Sequence, residues 1–262
     1  MEITFLGTDC WTPAPGNDAS GFLINGRYLI DTGFYLTDNL KRLDIRPQDI
    51  RHVFFTHLHH DHYMALPQLL FFYCQTGTPL DALHLYGPKN NVREVVDLAL
   101  AFLQAGSERR YYKTSCHPIV HEIEAGEELS LIAEFDDVTI EACRNNHAID
   151  GIAFRITERA TGKVLGITGD TFYAPHLPDA LRNCDLLVHE NTRVTSKTDY
   201  ANPPANGHSS IHESMRTAME AGAKRLAVVH FAEKHADNVL ARAAELGDIP
   251  VFYPERLKPY TV

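Results

Sequence analysis

His52-Val53-Phe54-Phe55-Thr56-His57-Leu58-His59-His60-Asp61-His62 decides the reading of this chain. Its first half is a continuous apolar run, the pattern of a strand covered on both faces. Its second half contains H-x-H-x-D-H, with His57, His59, Asp61 and His62 as four candidate ligands in six residues. His57 and His59 are two apart, so at an extended strand end they point the same way and can grip one metal ion. Asp61 and His62, beyond the strand end, can reach a second ion beside the first. Imidazole with carboxylate suits zinc, and also manganese or iron. A lone histidine in a turn is ordinarily a solvated residue, but this density behind an apolar strand points to a metal centre.

A two-metal site needs further donors at other strand ends. His147 follows the β-rich segment Thr139–Ala142, Asp170 follows Val164–Thr168 in a Gly169-Asp170-Thr171 turn, and His230 follows Leu226–Val229. Each polar residue ends an apolar run, which is where an α/β sheet collects its ligands.

The remaining sequence supplies a frame for such a site. Ile3–Leu6, Ser20–Ile24 and Tyr28–Ile30 read as strands, with a Pro/Gly loop over Asp9–Asp18 and a tight Asn25-Gly26 turn. Helices are expected near Tyr35–Leu43 and over Asn91–Gln104, where Val92, Val95, Val96, Ala99, Leu100 and Leu103 follow helical spacing. Residues 129–159 should form two or three antiparallel strands. Leu186–Val188 is a further buried strand. Ser210-Ile211-His212-Glu213 has capping-box form and should open a helix whose inner face is Ile211, Met215, Ala218, Met219 and Gly222. No linker or low-complexity segment divides the chain, so residues 1–262 are expected to be a single domain.

Composition excludes several classes. The chain has 262 residues, 24 Lys+Arg against 34 Asp+Glu, a formal charge of −10 and 15 histidines. An acidic balance argues against a broad electrostatic footprint for nucleic acid. No apolar run approaches the ~20 residues of a membrane helix, so no membrane partner is expected. Met1–Leu6 reads as a strand and not as a secretory signal. The five scattered cysteines form no C-x-x-C pair, which suits free thiols in a reducing, cytoplasmic setting.

Taken in order, H-x-H-x-D-H, His147, the G-D-T turn with Asp170, and His230 resemble the metallo-β-lactamase superfamily across essentially the whole chain. The resemblance implies an α/β fold, a four-layer αβ/βα sandwich, with a two-metal site at one edge. Carried over by position, His57, His59 and His147 would hold the first ion. Asp61, His62 and His230 would hold the second, with Asp170 bridging. His59 stands where the di-iron oxidoreductase branch is expected to have Glu, and Asp170 where antibiotic-hydrolysing zinc enzymes commonly have Cys, so a different hydrolase is implied.

Phe5-Leu6-Gly7-Thr8 followed by Pro13 and Pro15, Asp31-Thr32-Gly33, His189-Glu190-Asn191-Thr192 and Gly207-His208-Ser209-Ser210 are similar to motifs of the ribonuclease Z branch. That similarity implies that His208 protonates the leaving oxygen of a phosphodiester and that Glu190 orients it. The nucleophile would be a hydroxide bridging two divalent ions, zinc before manganese or iron, and Asp61 can take a proton from the bridging water. Only 22 residues, 148–169, separate His147 from Asp170, which leaves no room for the long tRNA-gripping arm of that branch. Arg109-Arg110-Tyr111-Tyr112-Lys113 is a candidate substitute that could grip phosphates, although a solvated loop is the plainer reading. The partner is then RNA or a small nucleotide, and a homodimer is a candidate assembly. The alternatives are a thioester or lactone hydrolase of glyoxalase II type and a non-catalytic metal-holding module.

Overall fold

Short apolar runs ended by polar residues assemble here as two sheets. The computed structural model describes residues 1–103, 117–197, 200 and 202–262. Among them the strands are β1 (Glu2–Gly7), β2 (Gly21–Ile24), β3 (Tyr28–Ile30), β4 (His52–Phe54), β5 (His84–Pro88), β6 (Ile119–Ile123), β7 (Ser130–Glu134), β8 (Val138–Arg144), β9 (Ile152–Glu158), β10 (Val164–Ile167), β11 (Leu186–Glu190), β12 (Leu226–Val229), β13 (Val251–Phe252) and β14 (Pro259–Thr261). The helices are α1 (Leu36–Arg42), α2 (His60–Tyr63), α3 (Leu66–Thr76), α4 (Val92–Phe102), α5 (Leu177–Ala180), α6 (Ile211–Glu220) and α7 (Ala236–Leu246).

The first sheet runs β14-β1-β2-β3-β4-β5-β6 and the second β13-β12-β11-β10-β9-β8-β7. The two share one plan, with antiparallel strands on one side and parallel strands on the other. In the first sheet β3 to β6 are parallel, and in the second β10 to β13 are. The last strand returns to the first, pairing Glu2 with Thr261 and Thr4 with Pro259.

Strand alternation sorts the apolar side chains into layers. Phe54, Ile3, Phe22, Phe154, Leu165, Val188 and Val229 face one another between the sheets. Val53, Leu29 and Leu85 turn the other way, onto Leu40 of α1, Leu69 of α3 and Val96 of α4. Leu187 and Val228 likewise meet Ile211 and Met215 of α6 and Val239 of α7. The result is the four-layer α/β sandwich, helix on sheet on sheet on helix. Each fully buried Leu, Val or Phe contributes roughly 1.5–3 kcal/mol through burial, and three such layers leave the edge of the sandwich free for polar residues.

Differences from the sequence reading have local causes. Residues 129–159 give three antiparallel strands, β7 to β9. The strand at Leu186 runs on to Glu190, carrying His189 and Glu190 within it. On α6 the capping box of Ser210 and Glu213 is present, but Met219 is exposed. Gly222 is also exposed and has φ +64, ending the helix as a left-handed stop instead of facing the core. Helix α4 ends by Phe102, and Gln104 lies outside the described residues, as do Arg109–Lys113. Among the described residues no helix is long and apolar enough to cross a membrane. Cys10, Cys74, Cys143 and Cys184 are unpaired, and burial pushes the Cys143 and Cys184 thiols up to about 12, which makes them poor nucleophiles.

Candidate metal centre

The parallel strands deliver their carboxyl ends to one edge shared by both sheets. His57 and His59 follow β4 at the first sheet, with Asp61 and His62 in α2 directly after. His147 follows β8, Asp170 follows β10, and His230 follows β12 at the second. Two glycines make this convergence possible. Gly169 has φ +60, and a Cβ there would lie 2.7 Å from the Thr56 side chain. Gly207 has φ +63, and a Cβ there would lie 2.8 Å from the His147 backbone. Asp31 and His230 take left-handed backbone without being glycine, at φ +54 and +66, and strain of that kind gathers at functional sites.

All seven candidate ligands meet. His59 Nδ1 is 3.1 Å from His57 Nε2 and 3.1 Å from His147 Nε2. His230 Nε2 is 3.3 Å from His62 Nε2 and 3.2 Å from Asp61 Oδ2. Asp170 Oδ2 lies between the groups, 3.6 Å from His57 Nε2, 3.5 Å from His62 Nε2 and 3.4 Å from His230 Nε2. The donor atoms of His57, His59, His147 and Asp170 form one cluster within 4.8 Å, and those of Asp61, His62 and His230 another.

The opposite ring nitrogens are anchored. His62 Nδ1 donates to Asp31 Oδ2 at 2.8 Å, and His147 Nδ1 to the Gly207 carbonyl at 3.1 Å. Thr56 Oγ1 lies 3.1 Å from His57 Nδ1, and Thr192 Oγ1 lies 2.8 Å from His230 Nδ1. Partners of this kind fix the tautomer and aim the other nitrogen at a metal. Asp31 is itself pinned by the Thr56 N–H at 2.8 Å and the Thr56 hydroxyl at 2.7 Å. The sequence reading had placed Asp31 only as a turn residue. Its signal was the one that marked the ligands, a polar residue ending the apolar strand β3.

Charge fits a cation. Burial first, and neighbouring histidines next, push His57, His59 and His147 below the usual histidine range, so their lone pairs are available. Burial also pulls His62 down, but the charges of Asp170 and Asp31 outweigh it and raise His62 well above its ordinary value. Burial presses Asp61 upward, yet the hydrogen bond from His230 and the charge of His62 hold its carboxyl at about 2. Three buried carboxylates, Asp31, Asp61 and Asp170, thus draw positive charge into the cluster. Converging imidazole nitrogens around shared carboxylate oxygens are donors suited to divalent metal ions.

Glu190 and His208 stand beside this cluster. Glu190 is buried and accepts from the N–H groups of Thr171 at 3.2 Å, Thr192 at 2.8 Å and Ser209 at 2.8 Å, and from the Thr192 hydroxyl at 2.8 Å. His208 Nδ1 donates to it at 3.1 Å and is 3.8 Å from Asp170 Oδ2. Burial lowers His208, but the hydrogen bond and charge of Glu190 prevail and raise it. The arrangement leaves Nε2 for the cleft. His189, by contrast, is fully buried and donates Nδ1 to the Glu190 carbonyl at 2.8 Å, a core histidine rather than a rim residue. The cleft above the cluster encloses about 310 Å³ and is lined by Trp11, Phe34, His59, His60, Asp61, Asp170, His208 and His230.

Comparison with known proteins shows the family and the fold. Residues 26–231 match the family described as beta-lactamase superfamily domain. Ribonuclease BN of Cronobacter sakazakii is 28% identical, over 90% of this chain and 90% of that protein. The crystal structure of human tRNase Z, short form, superposes with a TM-score of 0.78 at 24% identity, covering 100% of this chain and 99% of that one. The metallo-beta-lactamase fold protein YhfI of Bacillus subtilis gives 0.79 at 22% identity, covering 99% and 98%.

Proposed function

This chain belongs to the beta-lactamase superfamily, and from that premise we propose that it is a two-metal phosphodiesterase of ribonuclease Z type, acting on RNA or a small nucleotide. The observation that carries the reading is the His208–Glu190 pair at 3.1 Å, set beside the ligand cluster. His57, His59 and His147 would hold one ion, Asp61, His62 and His230 the other, and Asp170 both. Zinc suits this donor set best, with manganese or iron as substitutes. Two bound divalent ions supply a nucleophilic water at neutral pH and positive charge for the phosphate.

The chain's own groups do the rest. The attacking oxygen bonds to phosphorus while the bond from phosphorus to the leaving ribose oxygen breaks. A ribose alkoxide is a poor leaving group, so His208 gives it a proton, a contribution of about 10²–10⁴-fold. Glu190 holds His208 by Nδ1 and keeps it charged. Asp61 takes the proton that the attacking water loses and, with its low pKa, passes it to solvent, from which His208 is recharged. An acyl thioester or lactone needs such an acid less. The segment between His147 and Asp170 is largely the β9–β10 hairpin, so a substrate gripped close to the metals is favoured over one held by a long arm.

The test is His208→Ala with metal content measured. RNA dinucleotide cleavage should fall by about 10²–10⁴-fold with both ions retained. An unchanged rate, or turnover of acyl thioesters indifferent to the substitution, would move the assignment to the thioester and lactone hydrolases. Failure of the metal-loaded protein to hydrolyse either class would favour a non-catalytic metal-holding module.

A further inference from the structure

Trp11 is the single tryptophan of the chain and is 68% exposed, at the lip of the metal cleft. The loop carrying it is not loose. Asp9 is fully buried, and its carboxylate accepts the Cys10 N–H at 2.8 Å and the Ala14 N–H at 3.0 Å, closing the loop on either side of Trp11. The Asp9 N–H donates to the Asp18 carbonyl at 3.0 Å. Asp18, also buried, accepts the N–H groups of Phe34 and Tyr35, each at 2.9 Å, and the Asn39 amide at 2.8 Å. Asp18 therefore ties the Trp11 loop, through its backbone carbonyl, to the turn bearing Phe34, through its carboxylate. Both rings line the cleft whose floor holds Asp61, Asp170 and His230, with His208 also on its wall.

The lining of this cleft contains neither lysine nor arginine among the described residues, and the protein is acidic overall. Among the described lining residues, grip beyond the phosphate therefore falls to aromatic rings rather than cationic side chains. A ring on a loop whose backbone is pinned loses less freedom on binding than one on a loose loop, and stacking a base on an aromatic ring is worth about 1–3 kcal/mol. We propose that Trp11, backed by Phe34, is an aromatic wall that stacks the unpaired nucleobase next to the scissile phosphate, so that the substrate class is a base-bearing phosphodiester. The proposal rests on the phosphodiesterase reading above and specifies what that site recognises. Because π-faces are common to all bases, the wall selects for a base and little for its identity.

The lone tryptophan makes the wall directly visible. Titrating the metal-loaded protein with AMP should quench Trp11 fluorescence to saturation, whereas ribose 5-phosphate should not. In hydrolysis, the KM of an abasic dinucleotide should exceed that of its base-bearing counterpart by about 5- to 150-fold, the stacking range converted at 1.4 kcal/mol per tenfold. Trp11→Ala should collapse that ratio toward unity, and Trp11→Phe should keep part of it. Inhibition by AMP without quenching, or a KM ratio that Trp11→Ala leaves intact, overturns the wall. Trp11 emission that tracks dissociation of a homodimer on dilution, with no response to AMP, also overturns it and assigns the lip to a second copy of the chain. If no diester is hydrolysed, the phosphodiesterase reading falls, and quenching by AMP but not by ribose 5-phosphate still decides whether the wall binds a base.

Discussion

Strand β4 carries one histidine at each end of its run, and the two belong to opposite worlds. His57, just past its carboxyl end, joins the ligand cluster. His52, at its amino end, joins His84 of β5 and His121 of β6. His52 and His84 rings lie 5.0 Å apart, His84 Nδ1 is 2.9 Å from His121 Nε2, and His121 stacks on Tyr86 at 4.1 Å. Phe135 closes against His52 at 4.6 Å. Among the described residues, groups of three or more converging metal donors occur at the first cluster and not the second. The difference is not the number of histidines. It lies in the carboxylates, and in anchors that turn each ring so that lone pairs converge. Without them three histidines pack as aromatic rings.

The largest effect should come from removing the shared carboxylate. Asp170→Ala should cut hydrolysis to the level of the chelated protein and release metal, read by metal analysis, while His84→Phe in the other cluster changes neither. Equal losses from both substitutions would erase the contrast. Next, Asp31→Asn should weaken metal affinity by about 10–100-fold, measured by competition with a chelator, because it loosens only the orientation of His62.

Smaller still is the shift expected in pH dependence. Glu190 raises His208 against the pull of burial, and an acid acts only while protonated, so the rate should fall as pH rises through that raised value. In Glu190→Gln burial prevails. The alkaline limb of the pH–rate profile should move to lower pH, with a rate loss on the order of tenfold per unit of displacement above it. An unmoved limb would mean that His208 is not the acid.

The smallest effect belongs to the aromatic cluster. Burial first, then the charges of His84, His121 and Arg27, lower His52 to about 4. From its unfolded value of about 6.5 down to 4, the unfolded chain binds a proton that the folded one refuses, so folding weakens as pH falls through that window. Because His52 is partly exposed, the loss is discounted to about 1 kcal/mol, or about 2–4 °C in Tm. His52→Phe should remove that acid-side loss between pH 7 and pH 5 in thermal melts and leave hydrolysis intact.

The comparison also shows what a sequence can reveal. The positions that converge were legible because each candidate ligand interrupts an apolar strand with a polar residue, and the abrupt change survives without any knowledge of tertiary contacts. The four-layer sandwich was implied by the family resemblance that these motifs carry. The anchors were less legible. The Gly207 carbonyl that holds His147 has no side-chain signature, and Thr192 and Asp31 look like ordinary turn residues. Helix α3 was missed because Leu66–Thr76 is apolar around much of its circumference, and such runs do not distinguish helix from strand by period. The edge strands β13 and β14 are too short, at two and three residues, to carry a pattern. The His52–His84–His121 cluster exists only because parallel pairing sets His52 beside His84, and Tyr86 beside His121.

The pairing of β14 with β1 bears on how the protein is made. Residues Glu2–Gly7 leave the ribosome long before their outer partner, Pro259–Thr261. Throughout the synthesis of the intervening chain, the first sheet presents an unpaired edge of N–H and carbonyl groups, the surface on which strands from other chains add. His230 is committed just as late, and its N–H closes on the Thr8 carbonyl at 2.8 Å. The order of translation therefore places both the covering of this edge by β14 and the arrival of His230 after most of the first sheet has emerged.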